Sequence, residues 1–393
     1  MSRLDLLIAE LCPDGVEYKT LAEIAKEIYR GSGIKRDQVT ETGTPCVRYG
    51  EIYTTYNIWF ESCMSHTDAK NIAGKKYFEY GDVLFAITGE SVDEIAKSSV
   101  YIGHEKCLAG GDIVVMKHNE NPKYLAYALT TIDAQIQKSK GKVKSKVVHS
   151  NVPAIKAIMV PIPPLPVQQE IVRILDAFTT LEAELEAELE ARKEQYEYYR
   201  NSLLSFELTD RVLSVRWVSL GEVCGTITTG RLNANAMVVD GKYPFFTCDA
   251  TPFYIDEYAF DTDAILISGN GSQVGHINYY NGKFNAYQRT YVIFNFRGVE
   301  TAYLYFYLKA YLRVYITAHS KKGSVPYITM PMLQCFQVPI PPIEEQTRIV
   351  AILDRFDTLT NDITQGLPAE IAARRKQYEY YRDKLLTFKE KTG

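Results

Sequence analysis

Two stretches of this chain carry apolar residues at three- and four-residue spacing over an unusual length. In the first they fall at Ile171, Ile174, Phe178, Leu181, Leu185, Leu189, Tyr196, Tyr199 and Leu203; in the second at Ile349, Ile352, Phe356, Leu359, Ile363, Leu367, Ile371, Tyr378, Tyr381 and Leu385. That period marks one face of an α-helix, so the pattern predicts two long amphipathic helices. Pro166 and the Glu344-Glu345 pair suit first turns, where a missing N–H costs nothing and a carboxylate meets the positive end of the dipole. From Val167 to Phe206 the first helix runs about 40 residues, a rod of roughly 60 Å at 1.5 Å per residue. No small domain needs that length for its own core. The economical partner for each stripe is the other helix, packed antiparallel as a coiled coil, with Phe178, Leu181, Leu185, Leu189, Tyr196 and Tyr199 facing Phe356, Leu359, Ile363, Tyr378 and Tyr381. Two unrelated core helices are the alternative, which leaves the length unexplained. The clusters Arg192-Lys193 and Arg374-Arg375-Lys376 exceed what a two-helix seam needs, so a further subunit's helices are expected to complete the bundle.

The two helical stretches are copies. Pro161-Ile162-Pro163-Pro164, Ile171-Val172, Ile174-Leu175-Asp176 and Phe178 return 178 residues later as Pro339-Ile340-Pro341-Pro342, Ile349-Val350, Ile352-Leu353-Asp354 and Phe356. Each copy closes on the same block, Gln195 to Arg200 and Gln377 to Arg382, both reading Gln-Tyr-Glu-Tyr-Tyr-Arg. A repeat of this period means two equivalent structural units. The segments between the copies match only faintly: Tyr18 to Ile24 reads like Trp217 to Val223, Tyr124-Leu125 like Tyr303-Leu304, and Pro153 like Pro331. Leu6-Leu7 with Glu10-Leu11 echoes Leu203-Leu204 with Glu207-Leu208, which makes the repeat nearly circular. The resulting division is 1–158, 159–207, 208–337 and 338–393.

Within the first helix Leu181-Glu182-Ala183-Glu184 recurs as Leu185-Glu186-Ala187-Glu188 and begins again at Leu189. Its glutamates read chemically as a solvated face. As a length element it is more informative, since four helical residues add about 6 Å, just under two base-pair steps of about 3.4 Å. The second helix is four residues longer between Leu359 and Tyr378 than the first is between Leu181 and Tyr196, and it contains Gly366 and Pro368, where a kink or restart is expected.

Both intervening segments mix short β-rich runs with turns. Gly81 to Ile87 and Asp263 to Ile267 predict buried strands, Tyr124 to Ile132 and Tyr303 to Tyr315 helices, giving compact mixed α/β domains. Near the end of the first, Lys138, Lys140, Lys142, Lys144 and Lys146 alternate with Ser139, Gly141 and Ser145; the corresponding place in the second holds Lys321, Lys322, Gly323 and Ser324. Lysines among glycine and serine suit phosphate contact, because each cation releases counterions and amides or hydroxyls reach backbone oxygens. A solubilising loop is the bland reading. Arg30-Gly31 with Lys35-Arg36, and Thr229-Gly230-Arg231, are further candidates in which arginine would read guanine, against simple turn chemistry.

Seven scattered cysteines without a Cys-x-x-Cys pair argue against a disulfide framework, and together with the lack of a signal-like start or an 18-residue apolar run they predict a cytoplasmic protein that does not span a membrane. A net charge of −4 gives no global pull toward nucleic acid, so any such role rests on local patches. Gly269 to Gly275 lacks the Gly-Lys-Ser/Thr ending of a phosphate loop and reads as a turn. Asn121-Pro122-Lys123-Tyr124 resembles the Asn-Pro-Pro-Tyr of adenine methyltransferases with the wrong third residue and no cofactor motif. Six dispersed histidines have no metal spacing, and the expectation is a chain without covalent chemistry or a cofactor or metal of its own.

The Pro-Ile-Pro-Pro starts, the runs from Gln168 to Phe178 and Gln346 to Phe356, the two Gln-Tyr-Glu-Tyr-Tyr-Arg blocks and the alternation of variable and repeated regions resemble the DNA-specificity subunits of type I restriction-modification systems over essentially the whole chain. The resemblance implies an α+β protein in which two mixed α/β target recognition domains are separated by two long antiparallel helices forming a coiled coil with a pseudo-two-fold, circular repeat. It implies that each domain reads one half of an asymmetric bipartite site on double-stranded DNA, and that the helices set the spacer and dock two methyltransferase subunits. S-adenosylmethionine, ATP and Mg would belong to those partners and to restriction motor-nuclease subunits. Two other readings are a structural coiled-coil scaffold without DNA specificity, which leaves the divergence of the two domains and their basic loops unexplained, and a self-sufficient modification enzyme, against which the absence of a cofactor motif speaks.

Overall fold

The computed structural model describes residues 2–140, 142, 146–206, 215–319 and 327–391. The chain divides into two compact units, Met1–Glu184 with Ile371–Gly393, and Leu185–Glu370. Unit 1 is assembled from two separate pieces of chain, whereas unit 2 is one continuous piece that begins inside the first repeat's helix. Helix α1, Leu165–Leu204, is 40 residues long and gives its first half to unit 1 and its second half to unit 2. The second repeat is two helices of 19 residues each, α2 (Ile343–Asn361) in unit 2 and α3 (Leu367–Leu385), nearly all of it in unit 1. Each unit therefore joins one variable domain to its own repeat's beginning and to the other repeat's end.

The break between α2 and α3 follows from local chemistry. Asp362 accepts from the Thr364 amide at 2.7 Å and hydroxyl at 2.6 Å and from Gln365 Nε2 at 2.9 Å. These bonds, the Thr364 hydroxyl foremost, hold its carboxyl down at about 2. A side chain at Gly366 would collide with the Thr358 and Asp362 carbonyl oxygens, so only glycine closes the turn. Pro368 then lies in the first turn of the restarted helix, where its missing N–H has no partner to lose. The second repeat's extra residues thus form a turn instead of a longer rod. Ile363, expected in the helix seam, is corrected by this turn: it is 80% exposed there. Leu359, one turn earlier, is already 37% exposed.

In unit 1 α1 and α3 run antiparallel. Phe178 stacks on Tyr381 at 5.5 Å and, one turn further along α1, Glu182 pairs with Arg375, six residues earlier in α3. In unit 2 the end of α1 meets α2, with Tyr199 and Tyr196 5.4 and 6.3 Å from the Phe356 ring. Leu185 and Tyr196 are buried, Leu181 and Leu189 half-buried, and Tyr378 packs on the unit 1 core.

Unit 1 holds two five-stranded sheets. One is ordered Ala25–Arg30, Ile113–His118, Val83–Ala86, Ser98–Tyr101, Trp59–Phe60, the other Val39–Thr40, Ser65–Thr67, Thr44–Val47, Cys107–Ala109, Tyr77–Phe78. Unit 2 has one six-stranded sheet, Cys224–Thr229, Thr290–Phe296, Phe260–Ser268, Ile277–Ala286, Tyr243–Phe246, Phe253–Ile255. Both apolar strands expected from sequence are present and buried, Val83–Ala86 on both faces and Phe260–Ser268 over its second half. The helices behind them are Pro122–Ala128 and Ile132–Ser139 in unit 1 and the single Thr301–His319 in unit 2. Asn121 caps the first of these by accepting from the Tyr124 amide at 3.1 Å, and Lys123 pairs with Asp176 at 2.8 Å, so the Asn-Pro-Lys-Tyr run is helix-start chemistry.

The same hydrogen bonds build the base of each unit. Tyr124 donates to the Pro161 carbonyl at 2.8 Å, and Tyr303 to that of Pro339 at 2.8 Å. The fully buried Gln168 accepts from the Asn121 amide at 2.9 Å and donates to the Pro163 carbonyl at 2.8 Å. Gln346 accepts from the Glu300 amide at 2.8 Å and donates to Pro341 at 2.9 Å. A buried amide that spans the start of the long helix and the loop before the domain helix fixes the angle between them, since leaving any of those groups unpaired costs about 1–3 kcal/mol. The circular repeat also closes: Val16 donates to the Lys389 carbonyl at 2.9 Å and accepts from the Lys391 amide at 3.0 Å, with Leu4 of helix Arg3–Leu11 in the unit 1 core.

Candidate nucleic-acid interface

The sequence candidates gather where two chain segments cross at the end of each main sheet. In unit 1 Gly31 donates to the Ile113 carbonyl at 2.9 Å, and in unit 2 Gly230 donates to that of Thr290 at 3.3 Å. A side chain at either glycine would strike a carbonyl of the crossing strand, Gly110 or Ala286, which explains the glycine in both basic runs as a close approach. The crossing strand then makes a turn in which three backbone hydrogen bonds match between the units. Gly110 donates to Val47 at 2.8 Å and Tyr287 to Phe246 at 2.9 Å; Ile113 donates to Gly110 at 3.1 Å and Thr290 to Tyr287 at 2.8 Å; Ile87 donates to Asp112 at 3.0 Å and Gly269 to Arg289 at 2.9 Å. Asp112 and Arg289 thus occupy matching positions, as do Gly111 and Gln288, and Arg30 and Thr229.

The side chains at these positions differ in charge. Arg30 is exposed, and its guanidinium is engaged by Asp112 at 2.5 Å and the Gly111 carbonyl. In a cavity of about 500 Å³ beside this turn lie Arg36, Arg48, Tyr49 and Asp112. Arg48 is paired with Glu51 at 3.1 Å, whereas Arg36 and Lys35, at the start of the helical turn Arg36–Gln38, are exposed. In unit 2 the turn lines a cavity of about 390 Å³ together with Thr229, Asn270 and Tyr327. Arg231 is exposed just outside it. The Gly269 to Gly275 run is a turn closing the hairpin between the two longest strands, with Gly275 donating to Ser268 at 2.8 Å and both Gly271 and Gly275 at positive φ.

The lysine loop follows the helix Ile132–Ser139 and leads into Val148–His149, which pairs with Thr88–Gly89; Tyr327 bridges Asn270 at the matching place in unit 2. Lys140 and Lys146 are exposed and Lys142 half-buried. Lys144 and Ser145, and Lys321, Lys322, Gly323 and Ser324 of the second loop, lie outside the described residues.

Lys138 is a correction. It belongs to the last turn of the helix and is 4% exposed, with Nζ donating to the Leu129 carbonyl at 2.7 Å and to Ser98 Oγ at 3.2 Å. Burial without a carboxylate partner pushes its pKa down to about 7. The alternation of lysines hid the helix, whose period turns this residue inward while Lys140 faces out. Sequence reasoning also passed over Arg289, Gln288 and Asn270. The available signal was position: Gln288-Arg289 stands between two β-rich runs, and Asn270 sits in the glycine-rich turn.

Comparison with known proteins decides the family. The family model described as a type I restriction modification DNA specificity domain matches twice, at residues 13–191 and 215–373. The chain belongs to this family. It is 34% identical to a putative type I restriction enzyme specificity subunit of Haemophilus influenzae over 70% of this chain and 74% of that protein. With the EcoR124I/EcoR124II specificity subunit of Escherichia coli it shares 36% identity over 68% of this chain and 70% of the relative. Solved structures show the same fold: the S subunit from M. genitalium at TM-score 0.59 and 16% identity, covering 95% of this chain and 96% of that one. A chain from a type I system solved for its complex assembly and conformational transition gives TM-score 0.61 at 20% identity, covering 95% and 97%. Among the described residues no helix is long and apolar enough to cross a membrane.

Proposed function

We propose that this specificity subunit reads an asymmetric, two-part site on double-stranded DNA without catalysing a reaction itself, each unit taking one half. The observation that carries the reading is the pair of matching turns: a frame that shares these backbone hydrogen bonds in both units presents different side chains at the same place, Arg30 and Asp112 against Thr229 and Arg289. Equivalent scaffolds with unlike readers are what an asymmetric bipartite target requires, by the logic that ties half-site spacing to protein geometry. Lys140 and Lys146, with Lys142, Lys144 and the second loop's lysines, supply sequence-independent phosphate contacts.

In this reading α1, α2 and α3 set the length of the unread spacer and receive two methyltransferase subunits, which bring S-adenosylmethionine and methylate adenine. Motor-nuclease subunits using ATP and Mg join for restriction, and the assembly works in the cytoplasm. The Leu-Glu-Ala-Glu repeat of α1 is the adjustable part. Inserting one more Leu-Glu-Ala-Glu after Ala191 and sequencing the methylome of cells carrying the complex is expected to show a longer spacer between unchanged half-sites. An altered half-site with unchanged spacing would sink the ruler. A scaffold without DNA specificity predicts no DNA binding even with methyltransferase partners present.

A further inference from the structure

We propose that Arg289 is a specificity-determining residue that reads guanine in the half-site taken by unit 2. The inference rests on the DNA-reading function proposed above and adds the residue and the base. Three observations converge on it. First, the turn that carries Arg289 is pinned by four backbone hydrogen bonds: Tyr287 to Phe246 at 2.9 Å, Gln288 to Leu232 at 2.9 Å, Gly269 to Arg289 at 2.9 Å and Thr290 to Tyr287 at 2.8 Å. A side chain meant to discriminate bases has to leave a fixed point, and this one does.

Second, the guanidinium is uncommitted. Arg289 is exposed and has no ion pair among the described residues, and no acidic residue lines its cavity. In unit 1 the comparable arginine, Arg30, is neutralised by Asp112, which stands at the position that Arg289 occupies in unit 2. The duplicated frame thus carries a satisfied cation in one copy and an available one in the other.

Third, the surroundings suit a base edge better than a phosphate. The cavity is concave and lined by neutral groups, with Asn270 Oδ1 accepting from the Cys248 thiol at 3.3 Å and Gln288 Nε2 donating to Asn233 at 2.9 Å. Those bonds leave the Asn270 amide N–H groups and the Gln288 side-chain carbonyl, both in the cavity lining, without a partner among the described residues. An arginine fork matches the paired O6 and N7 acceptors of guanine, and the Gln288 carbonyl can accept from the amino group of the paired cytosine. Exposed lysines such as Lys140 and Lys146 in unit 1 are the arrangement for phosphate.

The test uses the full-length chain co-expressed with its methyltransferase partners, with the modified sites read by long-read sequencing. For Arg289→Gln and Arg289→Lys the expected result is relaxation at one guanine of one half-site, by about tenfold to a hundredfold in preference, with the other half-site unchanged. A uniform loss at all sites, or an unchanged sequence with Arg289→Gln, overturns the assignment; the first outcome would make Arg289 a phosphate contact. If a variant complex yields no methylation, its binding to duplexes carrying each base at the guanine position gives the same answer, with equal weakening on all four again counting against the proposal. Absence of any sequence preference in the unaltered complex would instead refute the DNA-reading function itself.

Discussion

At their bases the two units are alike, and at their tips they differ. Gln168 and Gln346, or Tyr124 and Tyr303, make the same bonds to the same relative partners at nearly the same distances. At the turn Gly110–Asp112 and its match Tyr287–Arg289, the backbone bonds are kept while the charge reverses from acid to base. The contrast teaches where a duplicated fold tolerates change. A buried amide with several partners has no substitute, whereas an exposed side chain on a pinned turn alters what is presented without altering the frame.

The strongest way to break the comparison is at the base. Gln168→Ala and Gln346→Ala each strand a buried amide and a buried carbonyl and are expected to cost about 2–4 kcal/mol in chemical denaturation. If the units are equivalent the two losses should be similar; a loss under about 0.5 kcal/mol at either site, the range of an ordinary surface substitution, would break the equivalence.

A second effect, read as a slope against pH, should belong to unit 1 alone. Lys138 has its pKa lowered to about 7 in the folded chain against an ordinary value near 10.4, so the unfolded state binds the proton more tightly. Burial therefore costs stability fully below pH 7, and the cost fades as pH rises from about 7 toward 10. Stability should climb over that window by up to about 1.4 kcal/mol per pH unit relative to Lys138→Met, which lacks the group. Parallel pH dependence in the two proteins would refute the buried neutral lysine.

The smallest change is expected at the surface. Lys140→Ala with Lys146→Ala should weaken binding to every duplex alike and reduce the slope of log K against log salt by about 0.9 for each phosphate that is no longer neutralised. Relaxed preference at one base pair, with the slope intact, would instead make these lysines base readers and blur the distinction between the loop and the Arg289 turn.

Much of this was legible along the chain. The three- and four-residue spacing announced α1, the duplicated blocks announced two units, and Gly366 with Pro368 announced the restart of α3, because helix period, proline chemistry and glycine's close approach are local properties. The apolar runs at 83–86 and 263–267 likewise stated their burial. Ile363 misled because its spacing continued a stripe that the turn at Asp362 had already ended.

Tertiary structure alone decided three matters. It allotted the halves of the long helices to different units, as shown by Phe178 meeting Tyr381 in unit 1 and Tyr199 meeting Phe356 in unit 2. It turned Lys138 into a core residue, and it paired Arg30 with Asp112, 82 positions away, while leaving Arg289 without an acid in its cavity. Periodicity fixes which face of an element is apolar, a fact each segment carries within itself. Whether a charge is spent inside the molecule or available to a ligand depends on what a distant strand brings beside it, and only the folded backbone sets that distance.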